Sequence, residues 1–465
     1  MKKVFDNPFF MYLIIAILAF VIILVSVSSV SIQQMGNGDF FVESILPIPY
    51  WIGIAIITCV AFFAIRYLSD KRSILISVFI SLILLVSFRI AFPVMFTSIP
   101  AYEPDAINYM NIVNSWVKGG VDFGFPGYYQ HDYPLSFLTA FTFVKFGVPV
   151  DTFFRVAPFV IYAIDLLMLY LIVAELIPGK KKIAATSAFL FSFSSLGYWV
   201  TVHYSPDLFG TMFYFVSLFL SVKFAIKGNW SFKTLAPVCV SIVLLVLAHH
   251  LSTLYFIVTM LGLALSTWFF NPPAFKGKAL SFVILGIFTY TFWFAYGSLV
   301  YPNFFNVYSY FSGSYGSASG LVQQASLFVN FTFLVYPAFI IALFLIEFLR
   351  VFHVKNIRDI LSVRKKLAEA RIRESGNTAF VFSMGFILVL GLFFIGFAVP
   401  VSFPTRVLEV LCIGFYPLSS LAFIRLSEGS ISKKKLIVIL IILLIVVLIG
   451  VHRYDSQIQR RVISG

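Results

Sequence analysis

Apolar runs of about 17–25 residues, the length a helix needs to cross a hydrocarbon core about 30 Å thick, follow one another along almost the whole chain. They fall near residues 9–30, 50–67, 74–96, 153–177, 184–202, 207–226, 234–250, 252–271, 279–300, 329–349, 378–399, 407–424 and 435–451, mostly with short joints between them. In lipid every backbone polar group must find its partner inside a helix or a closed barrel. The succession therefore predicts an all-α integral membrane protein, a polytopic bundle of about thirteen transmembrane helices. Composition excludes a soluble domain. Hydrophobic residues make up 60% of the chain and charged ones 11%, with a mean hydropathy of +0.99, against about 25% charged in soluble proteins.

Charge in the joints sets the expected orientation. Lys2-Lys3, Lys71-Arg72, Lys180-Lys181-Lys182, Lys223, Lys227, Lys233, Lys276, Lys278, the segment 350–373 and Lys433-Lys434-Lys435 all fall on one side. The other side carries Lys118, Lys145, Arg406 and a short tail with Arg453, Arg460 and Arg461. By the positive-inside rule the N-terminus is expected in the cytoplasm, as in a multi-pass plasma-membrane protein. The net charge of +14 then reads as a topology signal and an attraction to anionic membrane lipids. It predicts no nucleic-acid partner, since no basic stripe lies in a foldable soluble region.

The run Phe9 to Val30 follows Lys2-Lys3, is too long for a signal peptide and reads as a retained anchor. Cys59, Cys239 and Cys412 all sit inside apolar runs and read as small packing residues. Pro134 to Gly147 is apolar but, at about 21 Å as a helix, too short to span. It is expected to be a re-entrant or juxtamembrane helix, because spanning would place the Lys180 cluster outside. Two N-terminal helices (1–73) thus precede a larger module (74–465). That module has a first outer loop with juxtamembrane helices (97–134) and a cytoplasmic segment (350–377). The latter carries eight Lys or Arg against three acids, and Ile357, Ile360, Leu361, Val363, Leu367 and Ile372 recur at roughly helical spacing. That pattern suits an amphipathic helix on the inner leaflet, or else a solvated linker.

The few ionisable groups mark the working face. Of six His, five (His131, His203, His249, His250 and His452) map to the outer end of a span or an outer loop. Glu103, Asp105, Asp122, Asp132 and Asp207 join them there. In Tyr102-Glu103-Pro104-Asp105-Ala106-Ile107-Asn108-Tyr109 the proline starts a helix and places Asp105 and Tyr109 on one face, one turn apart. A carboxylate at such a cavity mouth can be a general base for a hydroxyl, or can cap the helix. Gly119-Gly120 and His131-Asp132-Tyr133-Pro134-Leu135 follow. Asp207, in His203-Tyr204-Ser205-Pro206-Asp207, is a metal or acceptor contact or else the cap of a helix beginning at Leu208. His249-His250 can hold a lipid phosphate or anchor the span at the interface. Arg406, in Phe403-Pro404-Thr405-Arg406, offers a bidentate fork to a phosphate or snorkels to headgroups. Arg155 is a further phosphate candidate. Asp165 lies near mid-span, too far from Arg155 to pair with it, and must face the bundle interior or a wet cavity. Arg89 is similarly ambiguous.

An Asp-x-x-x-Tyr after an early span, then Gly-Gly, then Tyr-Pro-Leu opening a short helix, resembles the GT-C superfamily of membrane glycosyltransferases. Its members include protein O-mannosyltransferases, aminoarabinose transferases and oligosaccharyltransferases. The likeness runs in order from Ile74 to Asp207, and in layout through the later spans. It departs from the pattern in three places: two spans precede the motif-bearing one, Glu103 is not adjacent to Asp105, and Tyr-Pro-Leu replaces a double proline. The subfamily is therefore unassigned. The resemblance implies a polyprenyl-phosphate-linked sugar donor and a glycan, lipid or protein acceptor. It also implies inverting transfer on the extracytoplasmic face, with Asp105 as base or acceptor-orienting group. Glu103, Tyr109, Asp132, Tyr133, His203 and Asp207 stand as acceptor or metal candidates, and Arg406, His249, His250 and Arg155 as donor-phosphate or lipid-binding residues. A divalent metal is compatible with these acids and not required by them. The competing classes are a lipid-linked oligosaccharide flippase or transporter and a polysaccharide polymerase. Transporters of this size usually carry internal repeats and polar midplane breaks. Here Asp165 is the clear midplane charge.

Overall fold

The computed structural model describes residues 8–29, 47–95, 104–122, 133–193, 204–227, 231–270, 278–300, 327–351 and 412–428, with isolated helical positions at 382–386 and 438–445. Among these residues the regular structure is entirely helical. The helices are α1 (Pro8–Ser28), α2 (Ile48–Tyr67), α3 (Asp70–Met95), α4 (Pro104–Gly119), α5 (Pro134–Lys145), α6 (Val150–Leu176), α7 (Lys181–Phe191), α8 (Pro206–Lys227), α9 (Phe232–Ala248), α10 (His250–Phe270), α11 (Lys278–Val300), α12 (Leu327–Val351) and α13 (Tyr416–Glu428). Cys412–Phe415 forms a 3₁₀ turn leading into α13. Among the described residues, α1, α2, α6 and α8 (as far as Ala225) are long and apolar enough to cross a membrane.

Their surfaces fit that environment. Ile14, Ile17, Leu18, Val21 and Val25 on α1, and Ile284, Ile287, Phe288 and Phe292 on α11, are large apolar side chains left exposed. A water-facing protein rarely shows apolar patches of that extent. Inside, small residues let helices approach. A Cβ on Gly53 of α2 would stand 2.5 Å from Ile23 Cγ1 of α1, the close packing that membrane helices favour. Cys59 of α2 and Cys239 of α9 are free thiols.

The helix α7 is shorter than the run predicted at 184–202. It ends in a turn at Ser192–Phe193, and every residue from Lys182 to Phe191 is buried. It runs antiparallel to α13, with Phe191 edge-on to Tyr416 and Ser187 Oγ 2.8 Å from Ser420 Oγ. Near one end of α13, Arg425 reaches Glu347 of α12, and Ser419 Oγ donates to the Ile340 carbonyl at 2.8 Å, so α12 and α13 are parallel.

Three helices that set the site also share one direction. Thr211 Oγ1 of α8 donates to Asp165 Oδ2 of α6 at 3.3 Å, and farther along Lys223 lies 3.9 Å from Glu175. Contacts that advance together on both helices make α6 and α8 parallel. Likewise Gly210 of α8 meets Ser252 of α10, and Tyr214 Oη lies 3.1 Å from Thr259 Oγ1. The alternation of the predicted spans requires this shared direction of the fourth, sixth and eighth.

Candidate functional site

The site is built where α4, α5, α8 and α10 begin. Proline opens three of them: Pro104, Pro134 and Pro206 are first helical residues, where a missing N–H costs nothing. The turn after α4 uses Gly120 at φ 94°, so the Gly-Gly pair ends the helix.

Helices α4 and α5 lie parallel. Tyr109 is edge-on to Phe137 at 5.3 Å, Trp116 meets Phe137 and Phe141, and Lys145 Nζ donates to the Val117 carbonyl at 3.0 Å. The register rises together on both helices. The first turn of α4, which contains Asp105, therefore lies at the same end as the first turn of α5, which begins behind Tyr133. At 12 residues, α5 is about 18 Å long, below the length of a span.

That end of α5 meets two further segments. Tyr204 is buried among Phe153, Phe154 and Phe209, and its hydroxyl donates to the Ser136 carbonyl at 2.6 Å. Burial pushes the Tyr204 phenol well above its ordinary value. With the turn so held, Ser205 caps α8, its Oγ accepting the Leu208 N–H at 3.3 Å. Asp207 is thus not the cap of a helix beginning at Leu208. It sits in the first turn of α8, where the positive end of the helix stabilises a carboxylate.

The carboxylate of Asp207 reaches His249, Oδ1 to Nε2 at 2.6 Å. His249 is an extended residue (φ −167°, ψ 128°) that both ends α9 and starts α10. Its N–H closes the last turn of α9 on Leu245, and its carbonyl accepts the Thr253 N–H. The Ser252 N–H donates to its Nδ1 at 3.4 Å, the third-residue bond of a helix cap, and Ser252 Oγ lies 3.1 Å from the same nitrogen. Because Nδ1 accepts that N–H, the ring proton resides on Nε2 and is donated to Asp207. The Tyr133 ring covers the imidazole with centroids 5.1 Å apart. Close approach of α8 depends on Gly210, where a Cβ would stand 2.5 Å from His249 Cβ.

Of the candidates, Tyr133, Asp207 and His249 are brought together directly. The backbone of Asp105 is placed at the same end, while Tyr109 is buried and packs α4 onto α5. His250 is the first residue of α10. Arg155 pairs with Asp151 on its own helix, Nε to Oδ2 at 3.0 Å. Glu103, His131, Asp132, His203 and Arg406 lie outside the described residues, as does most of 350–377. Among the described residues no group of three or more His, Cys, Asp or Glu is placed to hold a metal. Asp165 is buried, with one oxygen on Thr211.

Sequence reasoning missed Gly210, Ser252 as a partner of His249, and Tyr204. A glycine three residues after Asp207 and a serine three after His249 were the available signals. Comparison with protein-family models, curated proteins and solved structures returns no match, so the resemblance to the GT-C superfamily rests on the chain's own residues.

Proposed function

We propose that this chain is a GT-C type glycosyltransferase. It would take a sugar from a polyprenyl-phosphate carrier and join it, with inversion, to an acceptor hydroxyl on the extracytoplasmic face of the plasma membrane. The bundle of this reading has about thirteen spans, a cytoplasmic N-terminus, and the site of α4, α5, α8 and α10 outside. One observation supports the reading: Tyr133, Asp207 and His249, far apart in the chain, meet at the end where the first turn of α4 holds the backbone of Asp105.

In this reaction the acceptor oxygen attacks the anomeric carbon while the bond from that carbon to the phosphate oxygen breaks. Asp105 takes the hydroxyl proton, and polyprenyl phosphate leaves with the bonding electrons. Arg406, with His250, steadies the phosphate charge as it grows. Asp207 orients the acceptor. The isoprenoid tail lies between helices in the outer leaflet.

The test is transfer by detergent-purified protein from radiolabelled polyprenyl-phosphate sugars to glycan, lipid and peptide acceptors. Labelled product with release of polyprenyl phosphate supports the reading. Transbilayer movement of a lipid-linked oligosaccharide in proteoliposomes, with no labelled product in the transfer assay, replaces it with the flippase reading.

A further inference from the structure

We infer that His249 is a positioning residue that holds Asp207 toward substrate, rather than a phosphate ligand or a proton carrier; this role rests on the glycosyl-transfer reading. Both ring nitrogens are engaged inside the protein. Nδ1 accepts the Ser252 N–H, and Nε2 carries the proton given to Asp207 at 2.6 Å. A ring so held keeps one tautomer and one orientation, and its proton is already committed to a carboxylate. Exposure divides the pair in the same way: the His249 side chain is 10% exposed and that of Asp207 38%. The buried member is the support, and the carboxylate is the face presented outward. Tyr133 closes over the imidazole, and Gly210 lets α8 come near enough for the contact to form. The extended backbone of His249 fixes the anchor, because moving the ring would uncap α10.

Two substitutions separate the two nitrogens. In His249→Asn the amide oxygen lies as many bonds from Cβ as Nδ1, so the cap of α10 is retained and the contact to Asp207 is lost. In His249→Gln the amide nitrogen lies as many bonds from Cβ as Nε2, so the N–H to Asp207 is retained and the cap is lost. The Asn variant should lose about 10²-fold in kcat, the scale of a misplaced orienting group, with donor KM unchanged. The Gln variant should restore most of that loss while melting at a lower temperature. Equal kcat in the two variants, or a raised donor KM in both, overturns the positioning role.

A second readout does not depend on transfer. The ¹⁵N imidazole spectrum of the purified protein, with His249 assigned by its loss in the Asn variant, should show Nδ1 bare and Nε2 protonated, and Asp207→Asn should move the Nε2 resonance. A proton on Nδ1, or no response to Asp207→Asn, overturns the inference whatever the activity. If the wild-type protein transfers no sugar but the spectrum is as expected, glycosyl transfer fails and the pair stands.

Discussion

Nε2 of His249 lies 2.6 Å from Oδ1 of Asp207, joining the single extended residue between α9 and α10 to the first turn of α8. Asp207, His249 and Ser252 come from the ends of three successive apolar runs, yet form a continuous hydrogen-bonded set. His249 and Ser252 also serve the backbone, His249 closing α9 and capping α10 through the Ser252 N–H. The site is thereby tied to the helix ends that build it.

Gly210 should tolerate no side chain. A Cβ there meets His249 and Ser252, and overpacking of this kind costs about 1–3 kcal/mol. Gly210→Ala should lower the melting temperature in detergent and reduce sugar transfer together. A variant that melts and transfers like the wild type would show that α8 need not approach so closely.

Tyr204→Phe removes the hydrogen bond to Ser136 and should cost about 0.5–1.5 kcal/mol. The phenol has an ordinary value of 10.0 and is pushed well above it by burial. With the folded value raised, its contribution is fully present below the unfolded value and is lost as pH rises through the folded one. Stability should therefore fall on the alkaline side, at pH above about 10. Thermal unfolding against pH should show a shallower alkaline decline in Tyr204→Phe than in wild type. Identical declines would mean that Tyr204 is not the titrating group.

Glu347 is almost fully buried between Arg425 and Arg350, whose side chains are partly exposed. Removing the cation strands a buried charge, whereas removing the acid frees cations that can reach water. Arg425→Gln should cost up to about 3 kcal/mol, and Glu347→Gln clearly less. The double variant should unfold close to Glu347→Gln. A double-mutant cycle in which both single changes cost the same would contradict this asymmetry.

Local signals gave the helix starts. Pro104 and Pro134 begin α4 and α5, a position their ring geometry suits, α8 begins at Pro206 rather than at Leu208, and run length gave α1, α2, α6 and α8 within a few residues. What depends on packing between distant segments stayed hidden. The parallel setting of α4 and α5 comes from Tyr109 and Trp116 meeting Phe137, 21 or more residues away in the chain. The end of α7 at Ser192 falls inside the run predicted at 184–202, where Ser192, Ser194, Ser195 and Gly197 thin the apolar composition without ending it. Asp207 read equally well as a cap because the sequence does not say which oxygen, its own or that of Ser205, finds the Leu208 N–H. The site was legible as a set of residue types at one face; its internal bonds were not.

The central claim is tested most directly in Asp105→Asn, by measuring donor binding and sugar turnover in one detergent preparation. The substitution keeps size and removes the base. Donor binding should equal that of wild type while turnover falls about 10²–10⁴-fold, the range expected when a general base is lost. Arg406→Ala, measured alongside, should instead weaken donor binding. Full turnover by Asp105→Asn would leave Asp105 a first-turn residue of α4 with no part in proton transfer, and would contradict the account.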